Sequence, residues 1–348
     1  MKALVKYALE SGNMEIRDVP EPVCGSDQVK IQIERAGICG SDLKIYHSEI
    51  GIPLNPPVTT GHEFSGTIVE VGSDVKDFKV GEQVVSETAY SYCGICENCS
   101  EGYYNLCDQR KTLGYWYNGV FTDYTVVPAG RVHRIPKNVS LKAAAMTEPL
   151  ACVVHAIFDL TVIKPGETVL VSGPGAIGLM ALQIAKSFGA TVIISGTNAD
   201  IKRLELAKTL GADYAINVQE TNLKDFVLEK TNGLGVDVVL ECSGNEFAIN
   251  AALNVVKKRG YFTLIGMAGK PIEFDIVKIN YLEIKLSGSL GSRKDSWRKS
   301  LKLLEEGAVQ LEPLIDVELP LSDWEEAFNK FEAKEGIKFM LVPEIAQK

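Results

Sequence analysis

The sequence has no basic stretch that would gather phosphates. Its 36 Lys and Arg are outnumbered by 45 Asp and Glu, a net charge of −9. That balance argues against a nucleic acid or an anionic membrane surface as a partner. No apolar leader follows the first residues, and Met1-Lys2-Ala3-Leu4-Val5-Lys6-Tyr7 reads as a short strand. An unbroken membrane span is missing too. The longest apolar run, Thr168 to Ala185, carries Ser172, Gly173, Pro174, Gly175 and Gln183 and breaks at its glycines. Low-complexity tracts are absent, as are internal repeats beyond a β-α alternation in the second half. The expectation is a soluble, cytoplasmic protein. What is present is ordinary globular composition, 46% hydrophobic and 23% charged over 348 residues, enough for two domains.

Eight cysteines in such a chain point to metal before disulfides. Cys93-Gly94-Ile95-Cys96-Glu97-Asn98-Cys99 followed by Cys107 has the spacing C-x2-C-x2-C-x7-C. Two-residue gaps let thiolates converge on one ion, and Gly94 and Gly102 permit the tight loop. Four thiolates complete a tetrahedral zinc, so the site is read as structural. Four cysteines also hold iron–sulfur clusters, but the bacterial ferredoxin run ends C-x3-C-P, which this one does not. Cys24, Cys152 and Cys242 are read as structural residues or free thiols.

A second constellation is assembled from separate stretches. Thr60-Gly61-His62-Glu63-Phe64-Ser65-Gly66 places an imidazole beside a carboxylate, between glycines that allow a tight turn. Ala36-Gly37-Ile38-Cys39-Gly40-Ser41-Asp42 offers a thiol upstream, and Thr147-Glu148-Pro149-Leu150 a second carboxylate downstream. Cys, His and Glu suit zinc, and few protein ligands leave room for a substrate oxygen. The surrounding first 150 residues or so are rich in Gly and Pro with short alternating runs, among them 29–33, 66–71 and 123–127. They read as a β-rich domain whose loops carry chemistry.

From about residue 155 strands alternate with helices. Thr168-Val169-Leu170-Val171-Ser172 is a buried strand that runs into Gly173-Pro174-Gly175-Ala176-Ile177-Gly178 and a helical pattern through Ala190. This is G-x-G-x-x-G in its proper setting: one glycine for the turn, one for backbone approach to a pyrophosphate, one for helix packing. The helix N-terminus then favours negative charge. Further strands are expected at 191–195, 214–217, 236–241, near 260–265 and near 284–289. Helices are expected at about 200–210, 222–230 and 245–258, giving a six-stranded doubly wound sheet. An acidic residue about 20 positions after the loop usually binds the ribose 2′-hydroxyl of NAD. Here that position is Asn198, with Lys202 and Arg203 close by, although Asp200 could take the acid role. The reading favours NADP, or use of both nucleotides. The tail holds a helix from Trp297 and then Pro313-Leu314-Ile315-Asp316, expected to return to the first domain.

Taken in order, Cys39-Gly40-Ser41-Asp42, Gly61-His62-Glu63, the four-cysteine lobe, Glu148-Pro149-Leu150 and the glycine loop resemble the zinc-dependent medium-chain dehydrogenase family, over essentially the whole chain. Glu148 resembles the polyol (sorbitol) and threonine dehydrogenase branches. The resemblance implies an α/β fold of two parts, with the active site in the cleft between them. One is a GroES-like β-rich catalytic domain, 1–153 and 291–348, with its structural zinc lobe at about 90–110; the other is a Rossmann domain, 154–290. It implies two zinc ions per chain. Cys39 and His62 are then ligands of the catalytic zinc, with Glu63 and Glu148 direct or water-mediated ligands. Ser41 is implied as the first hydrogen-bond partner of the substrate oxygen. Many relatives carry a proton-relaying His where this chain has Lys44, which is a relay, a contact for an acidic or phosphorylated substrate, or a solvated surface residue. His47 is read as surface. Arg293, in Gly291-Ser292-Arg293, is a candidate substrate contact or a solvated helix-start residue. Loops Tyr46 to Pro57 and Tyr115 to Gly119 are expected to line the substrate pocket. The expected activity interconverts a secondary alcohol, polyol or sugar-derived, and its ketone with NAD(P), in a homo-oligomer, a tetramer or dimer. The alternatives are a threonine-type 3-dehydrogenase and a non-enzymic NAD(P)-binding protein that keeps only the structural zinc.

Overall fold

The computed structural model describes residues Met1–Gln347. The chain forms two compact units. One comprises Met1–Pro149, Ser292–Glu305 and the chain from Leu311 onward; the other comprises Leu150–Gly291 with Glu306–Gln310.

The first unit is built on a seven-stranded sheet in the order Val132–Arg134, Gln83–Ser86, Glu63–Val71, Gln28–Gly37, Lys338–Val342, Ile315–Pro320, with Tyr124–Pro128 also paired to Gln28–Gly37. In Gln28–Gly37 the β-branched Val29, Ile31 and Ile33 recur at every second position, so they share one face of the pleat. All three are fully buried, packed with Ile68, Val84, Phe121 and Leu341. Each such side chain contributes about 1.5–3 kcal/mol on burial. A smaller sheet pairs Met14–Asp18, Lys2–Lys6 and Val58–Thr59. The tail strand Lys338–Val342 lies antiparallel on Gln28–Gly37, with Met340 opposite Gly37 and Leu341 opposite Ala36.

The second unit is a parallel six-stranded sheet in the order Tyr214–Asn217, Thr191–Gly196, Thr168–Ser172, Val236–Glu241, Val256–Leu264, Lys285–Gly288. Its central strands read as unbroken apolar runs because helices cover both faces. Leu170, Ile193, Val239 and Phe262 form the middle of that core with Val227 and Leu253 from the helices.

Several element bounds differ from those the sequence suggests. The helix after the glycine loop stops at Ser187 rather than Ala190, ended by Gly189 in the left-handed conformation (φ 77°). The helix expected to reach residue 258 ends at Leu253. Val255 and Val256 are β-branched, and Val256 instead opens a strand paired with Val236. The tail helix begins at Lys294, three residues before Trp297. Gly40–Tyr46 is a short helix that no apolar periodicity in the sequence marks.

Candidate functional site

The pairing of two strands assembles the first site. Gly37 lies opposite Glu63, so Cys39, just beyond one strand end, and His62, just before the other strand's start, emerge at the same edge. Their ligand atoms and a Glu63 carboxylate oxygen lie within 4.8 Å of one another. A Cβ on Gly37 would sit 2.7 Å from Glu63 Oε2 and 2.9 Å from Lys338 Cε. Only glycine leaves room for that pair. Glu148, in the helix Thr147–Leu160, is almost fully buried but does not join this group of three.

Each member of the group is held from behind. Asp42, fully buried, accepts a hydrogen bond from the Cys39 backbone N–H at 2.8 Å through Oδ2. Its Oδ1 lies 3.6 Å from His62 Nδ1, while His62 Nε2 lies 3.5 Å from Ser41 Oγ. The imidazole thus has a carboxylate behind one nitrogen, beyond hydrogen-bond distance, and the Ser41 hydroxyl at the other; a carboxylate behind the ring is the usual setting of a metal-bound His. The Tyr115 ring sits 5.4 Å from the imidazole. Burial opposes a charge on His62, but Tyr115 and Asp42 outweigh it and hold the imidazole pKa well above its ordinary 6.5. Glu63 Oε2 accepts from the buried Lys338 ammonium, which also donates to the Ile38 carbonyl at 2.8 Å. Burial works against the Lys338 charge, yet Glu63 and Cys39 raise its pKa on balance.

Among the described residues, Glu63 Oε1 is buried with no hydrogen-bond partner. An orphaned carboxylate oxygen of this kind is costly, and a cation held by Glu63, Cys39 and His62 would resolve it. The donor set fits zinc with an open position. Ser41 and Lys44 are three residues apart on the helix Gly40–Tyr46 and so share a face, whereas Asp42 and Ile45 occupy its buried side. His47 lies 2.9 Å from Glu332 instead.

The second metal group is Cys93, Cys96, Cys99 and Cys107, whose sulfurs also lie within 4.8 Å of one another. The Cys96 N–H points at Cys93 Sγ (3.3 Å) and the Cys93 N–H at Cys107 Sγ (3.5 Å). Backbone N–H groups of Ile95 and Cys96 lower the Cys93 thiol to about 6, whereas burial and its sulfur neighbours push Cys99 up to about 12. Four crowded thiols need a cation to ionise together, so this set fits a closed tetrahedral zinc. Beneath the lobe, Tyr92 and Tyr104 stack at 4.7 Å with the Arg131 guanidinium over both rings. Glu87, buried, accepts from Tyr104, from Arg131 (3.3 Å) and from His133 (2.8 Å). Arg293 lies over the Tyr103 ring at 4.4 Å.

In the second unit the glycine loop joins Thr168–Ser172 to the helix Ala176–Ser187, with Gly175 at the N-cap. Gly173 has φ 97°, and a Cβ on Gly178 would lie 1.9 Å from the Gly173 carbonyl oxygen. A Cβ on Gly175 would meet nothing within 4 Å, so the loop presents open backbone at the helix start. That is a cradle for a pyrophosphate. Ala176 and Ile177 form the first helical turn beside it. At the ribose position, Asn198 Oδ1 accepts from Asn217 (2.5 Å) and the Asn198 N–H donates to Gln219 (2.8 Å). Both Asp200 oxygens are engaged, one by the Thr197 N–H and hydroxyl, the other by Arg203 at 3.2 Å. Lys202 is exposed.

Three site residues escaped the sequence reading as contributors. Asp42 had a local signal, since it stands three residues after Cys39 in a capping-box position. Tyr115 lies in a loop that the sequence marks only as pocket-lining. Lys338 had no local signal at all.

A parallel dinucleotide-binding sheet, a closed four-thiolate site and an open Cys-His-Glu site together define a zinc-type, nicotinamide-linked dehydrogenase. The chain belongs to that family: residues 25–137 match the alcohol dehydrogenase GroES-like domain and residues 176–306 the zinc-binding dehydrogenase domain. It is 44% identical to sorbitol dehydrogenase of Halalkalibacterium halodurans, over 99% of both chains. It is 40% identical to D-arabitol-phosphate dehydrogenase of Enterococcus avium, over 98% of this chain and 97% of the relative. Among solved structures, it superposes on a zinc-binding dehydrogenase of Sinorhizobium meliloti bound to NADP with a TM-score of 0.90, at 32% identity, covering 98% of this chain and 99% of the other.

Proposed function

We propose that the protein oxidises a secondary carbinol of a polyol, free or phosphorylated, to the corresponding ketone, and catalyses the reverse reduction, with NAD(P) as the redox partner. The observation that carries this reading is the cluster of Cys39, His62 and Glu63, whose ligand atoms lie within 4.8 Å of one another, with Glu63 Oε1 buried and without a hydrogen-bond partner among the described residues. The sorbitol and arabitol-phosphate dehydrogenase relatives supply the substrate class. When bound, zinc would supply Lewis acidity toward the substrate oxygen, and the nicotinamide would supply the capacity to accept hydride. The chain's own groups do the rest. Cys39 and His62 would hold the ion, with Glu63 and Glu148 as direct or water-mediated ligands. Ser41 would accept the hydroxyl proton while giving up its own, and Lys44 on the same helix face would release a proton to solvent as it takes that one, or would instead receive a substrate phosphate. Asn198 in place of an acid does not repel a 2′-phosphate and Lys202 attracts one, so NADP, or both nucleotides, is the proposed cofactor. Part of the Arg203 charge is met by Asp200.

We further propose a homo-oligomer, a dimer or tetramer, located in the cytoplasm. Lys285–Gly288 is an edge strand of the parallel sheet, and Ile276, Val277, Tyr281, Leu286 and Leu290 around it are exposed. Apolar surface beside an open edge is what a second copy covers. Among the described residues, no helix is long and apolar enough to cross a membrane.

The test is nicotinamide reduction with sorbitol, arabitol phosphate, threonine and simple secondary alcohols, with NAD and NADP, with and without a zinc chelator. Chelator-sensitive turnover of the polyols is expected, with Cys39→Ser reduced at least ~100-fold, the scale of losing a zinc-based Lewis acid. Full activity in Cys39→Ser, or a preference for threonine, would overturn the reading.

A further inference from the structure

Glu241, the last residue of the central strand Val236–Glu241, is fully buried, yet among the described residues it has no ion-pair partner. Its carboxylate is held by neutral donors of the turn that follows. Oε1 accepts from the Ser243 N–H at 2.9 Å and from the Ser243 hydroxyl, and Oε2 accepts from the Gly244 N–H at 3.0 Å. A buried charge satisfied only by its own turn is an expensive way to end a strand, and an apolar residue would end it at lower cost.

The turn it holds has a definite neighbour. Ser243 packs so tightly on Gly173, the first glycine of the loop, that a Cβ there would lie 2.8 Å from Ser243 Cβ. On the far side Gly244, in the left-handed conformation (φ 64°), abuts Met267, and Gly266 leaves no space for a side chain against Gly244 N. The Cys242 N–H donates to the Ser172 carbonyl at 2.8 Å, and the Gly173 N–H to the Ser195 carbonyl at 3.0 Å. The glycine loop and the Ser243–Gly244 turn thus sit back to back at the carboxyl ends of adjacent strands, where parallel sheets bind their ligands.

We propose that Glu241 is a positioning residue for the dinucleotide site: its carboxylate sets the Ser243–Gly244 turn, and that turn sets the Gly173 end of the phosphate-cradling loop. The inference rests on the NAD(P) reading above. Glu241→Gln preserves shape, but its amide puts an NH2 donor in place of one oxygen that accepts from a backbone N–H. Whichever way the amide faces, one N–H of Ser243 or Gly244 meets another donor.

The experiment measures NADH and NADPH dissociation constants by fluorescence, together with steady-state kinetics and zinc content. Glu241→Gln is expected to weaken nucleotide binding and raise the cofactor KM about tenfold, the weight of one buried hydrogen bond to a charged group. The alcohol KM and the zinc per chain should stay unchanged. Ser243→Ala, a milder change, should move the same constants about threefold in the same direction. The core variant Leu253→Ala, in the same unit, should lower the melting temperature without moving them. Nucleotide affinity within twofold of wild type in both Glu241→Gln and Ser243→Ala, or an equal loss in Leu253→Ala, would overturn the inference. Failure of the wild type to bind either nucleotide would instead remove the NAD(P) reading itself.

Discussion

Lys338 shows how one distant residue supplies a counter-charge to the metal site. Its ammonium is buried between the Ile38 carbonyl and Glu63. One Glu63 oxygen is thereby engaged and the other left available. Replacing Lys338 by Met removes the counter-charge while keeping most of the volume, leaving Glu63 buried and uncompensated. Breaking a buried pair from one side costs about 3–5 kcal/mol. Lys338→Met should therefore melt well below wild type, and the difference should narrow when zinc is added, because the ion then supplies the missing positive charge. A melting temperature equal to wild type in the zinc-free protein would contradict this account.

Among the elements, the zinc lobe depends on its base. Glu87 joins Tyr104, Arg131 and His133 in one buried network, and burial together with Glu87 pushes the Tyr104 phenol pKa up, so it stays a donor. Glu87→Ala strands three polar groups and should destabilise the unit by about 3 kcal/mol. It should also speed zinc release from the lobe, which a chromogenic chelator would follow; unchanged release would separate the network from the lobe. These elements were unequally legible in the sequence. The four cysteines and the glycine loop are local: their spacing alone fixes what can converge, and both were readable without a partner strand. Cys39, His62 and Glu63 were identifiable by residue type, but only the Gly37–Glu63 register explains why they meet. The Glu87 network could not be read, because acids and arginines 44 residues apart carry no mark of their pairing. The helix drawn through residue 258 failed for a related reason, since pairing of Val256 with Val236 decides it and local pattern does not.

For the whole molecule, acid should loosen the first unit through Glu318. This carboxylate ties three elements together, meeting Arg35 of Gln28–Gly37 and Lys142 of Leu141–Ala144, each at 2.6 Å. Burial raises its pKa, but Lys142 and Arg35 outweigh that and hold it below the ordinary 4.5. A depressed carboxylate contributes stability that is complete above its unfolded pKa and lost as pH falls through the lower, folded value. Glu318→Gln should thus lower the melting temperature at pH 7 by the equivalent of about 1 kcal/mol. The gap should close as the pH drops below about 4. A gap that persists in acid would mean that the loss comes from packing rather than charge.

The partner of Glu63 arrives 275 residues later in the chain. During synthesis the ribosome therefore delivers Cys39, His62 and Glu63 long before the strand that neutralises them. The complete dinucleotide-binding sheet emerges in between. The growing chain holds a metal-attracting cluster of thiol and carboxylate whose counter-charge is still unmade, while its second unit is already free to fold. Metallation of a chain arrested before residue 338 would meet an unshielded Glu63, so the last strand closes both the sheet and the electrostatics of the centre in a single late event.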